Sequence, residues 1–212
     1  MAKETAHQLG TPISAILGWI EYLKGMSEGN PEQQEVLVEL IKDVDRLELV
    51  ADRFSKIGSA PDLERTNILD EMDKTFAYMK RRSPRKISYE MISNLDDDTH
   101  VMVNRHLFDW VIENLIRNSL DAMDGQGNIR GELSIYDQKV LINLSDSGKG
   151  IPASKFKSVF KPGFSTKTRG WGLGLSLAKR IIESYHNGRI YVKSSKVGEG
   201  TTFTIELPVS NK

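Results

Sequence analysis

The chain has 212 residues, of which 39% are hydrophobic and 27% charged, a composition typical of a globular protein with one large or two small domains. Its 29 basic and 29 acidic residues balance, so net charge favours neither nucleic acid nor an anionic membrane as a partner. The absence of cysteine excludes disulfides, thiolate zinc sites and thiol nucleophiles. We expect no membrane segment and no signal peptide, because no apolar run approaches the roughly 18 residues of a membrane span.

The first sixty residues predict two helices that form a hairpin. In the first, over residues 3–26, apolar side chains recur at steps of four and three: Leu9, Ile13, Ile16, Ile20 and Leu23. The second begins at Pro31, after a turn over residues 27–31, and carries its own seam: Leu37, Leu40, Val44, Leu47, Ala51 and Phe54. Two helices with single apolar seams cannot bury them alone, so a homodimeric four-helix bundle is favoured over a hairpin lying on the downstream domain.

His7 is predicted to lie on the side of the first helix that faces away from this seam. It starts a polar row, with Thr11, Ser14, Gly18 and Glu21, that runs two residues or about 200° ahead of the apolar row. We therefore expect an exposed imidazole. A lone exposed histidine is ordinarily a plain surface residue, so His7 gains weight only from motifs far downstream. Only six residues precede His7, which suggests that the chain is the C-terminal part of a longer protein.

Residues 66–212 alternate between predicted strands and helices, which is typical of an α+β domain with helices over a mixed sheet. Helices are expected at 68–79, 105–123 and 173–185, and strands at 87–92, 101–103, 133–136, 140–144, 189–193 and 202–207. A linker over residues 59–65 separates this domain from the hairpin of residues 1–58. The basic stretch 80–86 has no interleaved aromatic residues, so we interpret it as a solvated turn and not as a nucleic-acid site.

Two motifs of this domain carry groups suited to a nucleotide. Asn114 and Asn118 stand one helical turn apart, and amide oxygens are hard donors suited to Mg²⁺ that also binds phosphate. Asp146 directly follows a strand, where a carboxylate can accept a hydrogen bond from an exocyclic amine, and Gly148 and Gly150 let backbone approach a flat ring. Taken alone, each motif has an ordinary alternative, a solvent-facing helix row or a simple turn.

Two further segments are rich in glycine and hydroxyl groups. Residues 170–175, Gly-Trp-Gly-Leu-Gly-Leu, open a helix whose amides could face phosphate, although they match neither a Walker loop nor a dinucleotide fingerprint. The glycine-bearing stretch 160–167 before it is typical of a mobile lid, with Lys167 and Arg169 available to meet phosphate charge. Thr201 and Thr202 lead into the last strand, where a hydroxyl could touch a phosphate or the ring edge.

In order and spacing, these segments closely resemble the N, G1, F, G2 and final Gly-Thr boxes of one ATP-binding domain. Histidine kinases, gyrase-type topoisomerases, Hsp90-type chaperones and MutL-type proteins share that domain. Residues 6–13, Ala-His-Gln-Leu-Gly-Thr-Pro-Ile, resemble the phosphoacceptor box of a two-component sensor histidine kinase. The resemblance covers essentially the whole chain, and its two halves match independently.

The resemblance implies an all-α hairpin in a dimeric four-helix bundle, followed by an α/β sandwich of the GHKL, or Bergerat, type with a mixed sheet covered by helices on one face. It implies a kinase that uses ATP and Mg²⁺ to phosphorylate His7, passes the phosphoryl group to an aspartate of a response-regulator receiver domain, and in some variants dephosphorylates that partner. It further implies a homodimer in the bacterial cytoplasm, either free or as the cytoplasmic part of a membrane-bound sensor, with no nucleic-acid partner.

The resemblance also assigns roles to single residues. His7 matches the phosphorylated histidine, Asn118 the Mg²⁺ ligand, and Asp146 the aspartate that recognises adenine. The other positions matched to the ATP site are Asn114, Asp121, Gly148, Gly150, Lys167, Gly170, Gly172, Leu173, Gly174, Thr201 and Thr202. In the ATP-hydrolysing relatives the counterpart of Asn114 is a glutamate that activates water. An amide cannot act as that base, which argues for transfer over hydrolysis.

Three positions depart from the pattern or modify it. Gln8 stands where these kinases usually carry an acidic residue thought to take the histidine proton, and Asp121 stands where many carry lysine. Thr11 matches the residue that orients water for dephosphorylation, and Gln8 could help to hold that water, so a phosphatase-biased protein is one hypothesis. The alternatives are a GHKL-type ATPase like the chaperones and topoisomerases, which Asn114 opposes, and a degenerate nucleotide-binding docking module, which Gln8 supports.

Overall fold

The structure, a computed structural model, describes residues 15–27, 30, 31, 33–38, 40, 41, 44, 61–165 and 172–210. The chain divides into two compact units, Met1–Pro61 and Asp62–Lys212. The predicted linker over residues 59–65 includes this division, and the roles assigned to the two domains stay predictions. Within the described ranges, no helix combines the length and apolar character that crossing a bilayer requires.

The described part of the first unit consists of two helical segments. Residues 15–26 are helical, and the second segment begins at Pro31, as predicted, with the Asn30 side chain accepting a hydrogen bond from the Gln33 amide at 3.3 Å. An apolar cluster packs the two segments together, and its members are Ile20, Leu37 and Val44 with Leu17 and Ile41 beside them. The parts of the predicted helices at residues 1–14 and 45–58 lie outside the described residues.

The second unit alternates between strands and helices. Its elements are β1 (Glu64–Asn67), α1 (Ile68–Arg82), β2 (Lys86–Ser93), β3 (His100–Val103), α2 (Arg105–Ala122), β4 (Gln126–Tyr136), β5 (Lys139–Asp146), α3 (Gly174–Arg180), β6 (Arg189–Lys196) and β7 (Gly200–Pro208). Two short 3-10 turns, Ala153–Lys155 and Ser158–Phe160, follow β5, and a π-helical turn, Ile181–Tyr185, continues α3.

Five strands form one mixed sheet in the order β2-β4-β5-β7-β6, in which only β2 and β4 run parallel. β1 and β3 form a separate antiparallel pair. Alternate residues of the central strands are buried on one face of the sheet: Ile129, Leu133, Val140, Ile142, Leu144, Phe203, Ile205 and Leu207. The apolar stripe of α2 is also fully buried, at Phe108, Val111, Ile112, Leu115 and Ile116. The predicted α/β domain with a mixed sheet is thus confirmed.

The sequence predicted most of these elements, and the differences have physical reasons. The strand pair at β4 and β5 turns through Asp137 and Gln138 as predicted, both with the positive φ that a tight two-residue hairpin needs. β4 begins at Gln126, seven residues before its predicted start, because Gly131 interrupts the apolar alternation. A Cβ at Gly131 would lie 2.8 Å from the Phe76 ring, so this strand glycine makes room for a core aromatic.

Two helices also differ from prediction. α1 runs three residues further, to Arg82, because Lys80, Arg81 and Arg82 complement the negative end of the helix dipole. The basic stretch predicted as a turn is therefore partly helical. The predicted helix 173–185 changes from α to π at Ile181, and β1 was not predicted as a strand.

The π turn ends at a buried histidine that supports α2. His186 is 2% exposed, and its Nε2 accepts a hydrogen bond from the Asn104 backbone N–H at 3.0 Å. Asn104 is the N-cap of α2, where its side-chain oxygen accepts from the Leu107 amide at 3.1 Å. Burial lowers the pKa of His186 to about 4, although an interaction with the Ile181 backbone partly opposes this shift. The ring therefore stays neutral at physiological pH.

We expect this histidine to make the second unit acid-sensitive. Because the pKa of His186 falls from 6.5 unfolded to about 4 folded, the unfolded chain binds more protons between these pH values. The contribution of His186 is therefore present above pH 6.5 and lost as pH falls toward 4, up to about 3 kcal/mol. Urea unfolding at several pH values should show a steeper loss of stability in the wild-type chain than in His186→Asn. Equal slopes would contradict the prediction.

Candidate functional site

Helix α2 presents a polar row beside its buried stripe. Asn114, Asn118 and Asp121 follow one another at steps of four and three residues, so they share one side of the helix. Asn114 and Asn118 are half-buried, and Asp121 is exposed. The structure therefore places all three predicted residues of this motif along one edge of α2.

Asp146 ends β5, and several donors hold its carboxylate. Its Oδ1 accepts a hydrogen bond from the Gly148 amide at 2.8 Å, and its Oδ2 accepts one from the Ser119 hydroxyl at 3.1 Å. Burial raises the pKa of the Asp146 carboxyl, while the bonds from Gly148, from Ser119 and from the Thr201 backbone oppose that rise. The carboxylate is thus partly desolvated but kept in a fixed orientation.

Glycines allow three stretches of backbone to meet around Asp146. A Cβ at Gly148 would lie 2.6 Å from the Ala122 Cβ, so this glycine lets the loop pack against the end of α2. Gly150 has a φ of +71°, and a Cβ there would overlap the Lys196 carbonyl oxygen. The Lys149 amide also donates to the Ala122 carbonyl at 2.9 Å, which fastens the loop to the helix. The loop after β5 is therefore held from both sides.

The two threonines of the last box lie on opposite faces of the sheet. In the register of β5 and β7, Asp146 is opposite Thr201, and Ser145 is opposite Thr202. Thr201 is 5% exposed, and its hydroxyl pairs with Ser195 at 2.9 Å. Because side chains alternate along a strand, the Thr202 hydroxyl points to the other face, where it pairs with Ser145 at 2.8 Å. The structure does not bring the Thr202 side chain to Asp146.

The start of α3 packs directly on the polar row of α2. Gly172 has a φ of +64°, and its carbonyl accepts from the Gly163 amide at 3.0 Å, which closes the base of the predicted lid. Leu173 precedes α3 and accepts from the Leu177 amide at 3.0 Å. A Cβ at Gly174 would lie 2.5 Å from Asn114 Oδ1, so any other residue here would require the Asn114 side chain to move. Among the described residues, Asn114 Nδ2 is buried and has no hydrogen-bond partner.

Five predicted site residues lie outside the described residues: His7, Gln8, Thr11, Lys167 and Gly170. Among the residues that are described, no group of three or more acidic, histidine or cysteine side chains could hold a metal ion alone. A single neutral amide oxygen, such as that of Asn118, fits Mg²⁺ that takes its other ligands from phosphates and water. The donor set is therefore compatible with a metal that arrives together with a nucleotide.

Sequence reasoning did not assign a role to Ser119 or Ser195. Ser119 bonds Asp146, and Ser195 accepts from the Ile151 amide at 2.7 Å and contacts Thr201. A signal for Ser119 was present, since it continues the apolar stripe of α2 at the spacing of Ile112 and Leu115 but is polar. A polar residue in a buried stripe needs a hydrogen-bond partner in the core. Ser195 offered no comparable signal, because it lies in a serine-rich strand end.

Comparison with known proteins decides the family. The profile described as histidine kinase-, DNA gyrase B- and HSP90-like ATPase matches residues 104–211, half of the chain. This chain belongs to that family. The match runs from the N-cap of α2 to the end of β7, so it contains Asp146 and the polar row of α2. The predicted family is confirmed, and the matched region is an ATP-binding domain homologous to those of sensor histidine kinases.

Individual relatives extend the likeness over the whole chain. The signal transduction histidine-protein kinase AtoS of Escherichia coli (strain K12) is 30% identical over 208 residues, which is 97% of this chain and 34% of AtoS. The chain thus spans about a third of that relative. The catalytic domain of histidine kinase ThkA aligns with a TM-score of 0.61 at 28% identity, covering 70% of this chain and 96% of that domain.

A longer ThkA structure, solved in complex with response regulator TrrA, covers 98% of this chain and 60% of the solved chain. Its TM-score is 0.68 at 24% identity, so it supports the fold alone.

We predict that Gly150 is far less replaceable than Gly198. Both have positive φ, so Gly198→Ala should cost only about 1 kcal/mol of backbone strain, because no described residue lies within 4 Å of its added Cβ. Gly150→Ala adds a clash with the Lys196 backbone and should cost about 3 kcal/mol or more. Urea unfolding of both variants measures the difference. Similar losses in the two variants would mean that the close approach at Gly150 contributes nothing.

Proposed function

We propose that this chain is the catalytic core of a sensor histidine kinase. Its ATP-binding domain takes Mg-ATP, phosphorylates His7, and the phosphoryl group then passes to an aspartate of a response-regulator receiver domain. The observation that carries the proposal is the arrangement on α2. Ser119 of this helix bonds the Asp146 carboxylate, while Asn114, five residues earlier, contacts the start of α3 at Gly174. One helix thus connects the base end and the phosphate end of the candidate site.

At the base end, Asp146 is suited to an adenine ring. A carboxylate accepts hydrogen bonds in about four directions, and the donors on this chain leave room for an exocyclic amine. Gly148 and Gly150 let the loop pack closely against Ala122 and Lys196, which fixes the backbone beside Asp146. Burial strengthens the bond to the amine, because few waters compete for the carboxylate.

At the phosphate end, two asparagines can meet the triphosphate. Asn114 Nδ2 is a buried donor that no described residue pairs with, and leaving such a donor unpaired costs about 1–3 kcal/mol. A phosphate oxygen or a water bound to it would recover that energy. Asn118 supplies an amide oxygen for Mg²⁺, which when bound would neutralise charge on the β- and γ-phosphates. Lys167 and Gly170 belong to the proposed lid.

In the transfer step, a ring nitrogen of His7 attacks the γ-phosphorus, the bond to the β,γ-bridging oxygen breaks, and ADP leaves with that electron pair. The attacking nitrogen must be unprotonated, and the proton on the other nitrogen passes to water or to another base, because Gln8 carries no carboxylate. Gln8 and Thr11 can also hold water, which makes dephosphorylation of the partner the second activity of this proposal. Because the reaction consumes ATP, it belongs to the cytoplasm.

Asn114 favours transfer over hydrolysis. An amide cannot take a proton from water, so the site lacks at this position the base that an ATPase would need. The amide oxygen also faces Gly174 within van der Waals reach, so the side chain serves to seat α3. The missing base places the ATPase alternative below the kinase.

The test is incubation of the full chain with γ-labelled ATP and Mg²⁺. We expect label that is stable to alkali and labile to acid, as phosphohistidine is, and its loss in His7→Ala. His106→Ala is the matched control, because His106 is an exposed histidine outside the site and its loss should leave the label intact. Asp146→Asn should reduce labelling at least tenfold, because an amide can offer its NH₂ group in place of an acceptor.

Each other outcome selects a different function. Label that persists in His7→Ala would contradict the assignment of the phosphoacceptor. Steady ATP turnover without label would support the ATPase, and nucleotide binding with neither would support the docking module. Phosphate release from a phosphorylated receiver domain, without labelling of His7, would indicate a phosphatase-biased protein.

A homodimer forms part of the proposal, and exposed apolar residues of the first unit support it. Ile16, Leu23 and Met26 recur at steps of seven and three and are 42%, 45% and 67% exposed. They lie beside Ile20, which is buried in the contact between the two helical segments. Within the described residues, the first helix thus carries exposed apolar side chains beside its buried contact, as the inner face of a four-helix bundle would.

We expect the chain to elute at twice its 23.9 kDa mass in size-exclusion chromatography with light scattering. Leu23→Glu should shift it toward monomer, because a carboxylate cannot be buried in an apolar seam. Lys24→Glu, next to it and exposed, adds at least as much negative charge to the same turn and should leave the dimer intact. A monomeric wild-type chain would contradict this part of the proposal.

The receiver domain is proposed to dock on the first helix. ThkA, whose fold this chain shares, was solved with response regulator TrrA. On this chain the exposed positions after His7 include Gly18, where a Cβ would meet no described residue within 4 Å, and the edge-to-face pair Trp19 and Tyr22. A small residue beside two exposed rings provides both close backbone approach and apolar area for a partner.

A further inference from the structure

We propose that Ser119 is a positioning residue that holds the Asp146 carboxylate in the orientation that accepts the exocyclic amine of adenine. This inference rests on the proposed function, because it concerns nucleotide recognition at the same site. Ser119 is buried in α2 and donates to Asp146 Oδ2, whereas the loop after β5 donates to Oδ1.

Ser119 contacts Asp146 from the buried stripe of α2. Because Ser119 is buried, it cannot itself touch a nucleotide. It is 1% exposed, lies on the stripe of α2 that faces the sheet, and donates its hydroxyl proton to Asp146 Oδ2 at 3.1 Å. The opposite oxygen, Oδ1, accepts from the Gly148 amide at 2.8 Å. Donors on both oxygens hold the carboxylate against rotation, and Ser119 is the side chain that donates to Oδ2.

A fixed carboxylate matters because the amine offers a directional donor. Hydrogen bonds weaken steeply when the angle at the donor falls below about 120°, so a carboxylate that rotates spends less time correctly aligned. The backbone donors Gly148 and Thr201 belong to the loop after β5 and to β7, whereas Ser119 belongs to α2. Ser119 is therefore the connection that ties Asp146 to the helix carrying Asn114 and Asn118.

The same bond helps to keep Asp146 ionised. Burial raises the pKa of this carboxyl, and the Ser119 bond opposes the rise because it stabilises the charged form. In the described part of the chain, the groups that act on Asp146 are Ser119 from α2, Gly148 from the loop and Thr201 from β7, and none of them is charged. Removing the hydroxyl should therefore raise the pKa further, with no nearby cation to compensate.

The experiment compares two nucleotides by isothermal titration calorimetry with the full chain and Mg²⁺. One is ADP, and the other is purine riboside 5′-diphosphate, which lacks only the exocyclic amine. We expect the wild-type chain to bind ADP about tenfold or more tightly than the analogue. Ser119→Ala should weaken ADP binding about three- to tenfold and leave analogue binding within about twofold.

Two further measurements separate positioning from packing. In Ser119→Ala the loss of ADP affinity on acidification should begin at higher pH than in the wild-type chain, since protonated Asp146 no longer accepts from the amine as an anion. Ser119→Thr, which keeps the hydroxyl, should restore ADP selectivity if the extra methyl group is accommodated. Thr75→Val is the matched control, because Thr75 is another buried hydroxyl that donates to a carboxylate, Asp109, at 2.9 Å. Its loss should alter neither selectivity nor the pH profile.

The outcomes are distinguishable from failure of the proposed function. If the wild-type chain binds neither nucleotide, the proposed function fails and the inference with it. If the wild-type chain prefers ADP but Ser119→Ala weakens both ligands equally, or shifts no pH profile, Ser119 is a packing residue and the inference is overturned. Alanine is a better helix former than serine, so the variant is expected to fold.

Discussion

Helix α2 packs one side into the core and carries polar side chains on the adjoining side, and the candidate site depends on both. One stripe is fully buried in the core, while the adjoining row offers Asn114 and Asn118. The Ser119–Asp146 bond lies at the boundary between these two surfaces. Because a packed core has few alternative arrangements, the position of the helix against the sheet also sets the position of every polar group that it carries.

This arrangement fixes the distance between the two ends of the candidate site. Asn114 and Ser119 are five residues apart, which is about 7.5 Å along an α-helix. The base end and the phosphate end of the site therefore cannot move independently, and the N-cap at Asn104 anchors the same helix at its beginning. Under the proposed function, a nucleotide would have to match this spacing as well as the functional groups at each end. Such preorganisation avoids ordering costs at the moment of binding.

Local sequence carries the fold here, but not all of the site. Asp146, its glycines and the asparagine pair are separated by fixed spacings within single segments, so pattern and resemblance both identify them. Ser119 and Ser195 act through contacts between distant segments, and only the fold brings those together. Thr201 and Thr202 are adjacent in sequence but lie on opposite faces, which the alternation of a strand implies once the register is known. The start of β4 was predicted too late because Gly131, which makes room for the Phe76 ring, interrupts the apolar alternation of the strand.

The π turn at Ile181–Tyr185 has a consequence for how this segment tolerates change in length. A π turn holds one residue more than an α turn, so it rephases whatever follows by about 100°. Ala178, Ile182 and His186, before, within and just after the π turn, are all buried. Deletion of a single residue here would make the helix more regular but would rotate the residues that follow it out of their present contacts. The imidazole would turn away from Asn104, and the defect in the helix is what keeps it in register.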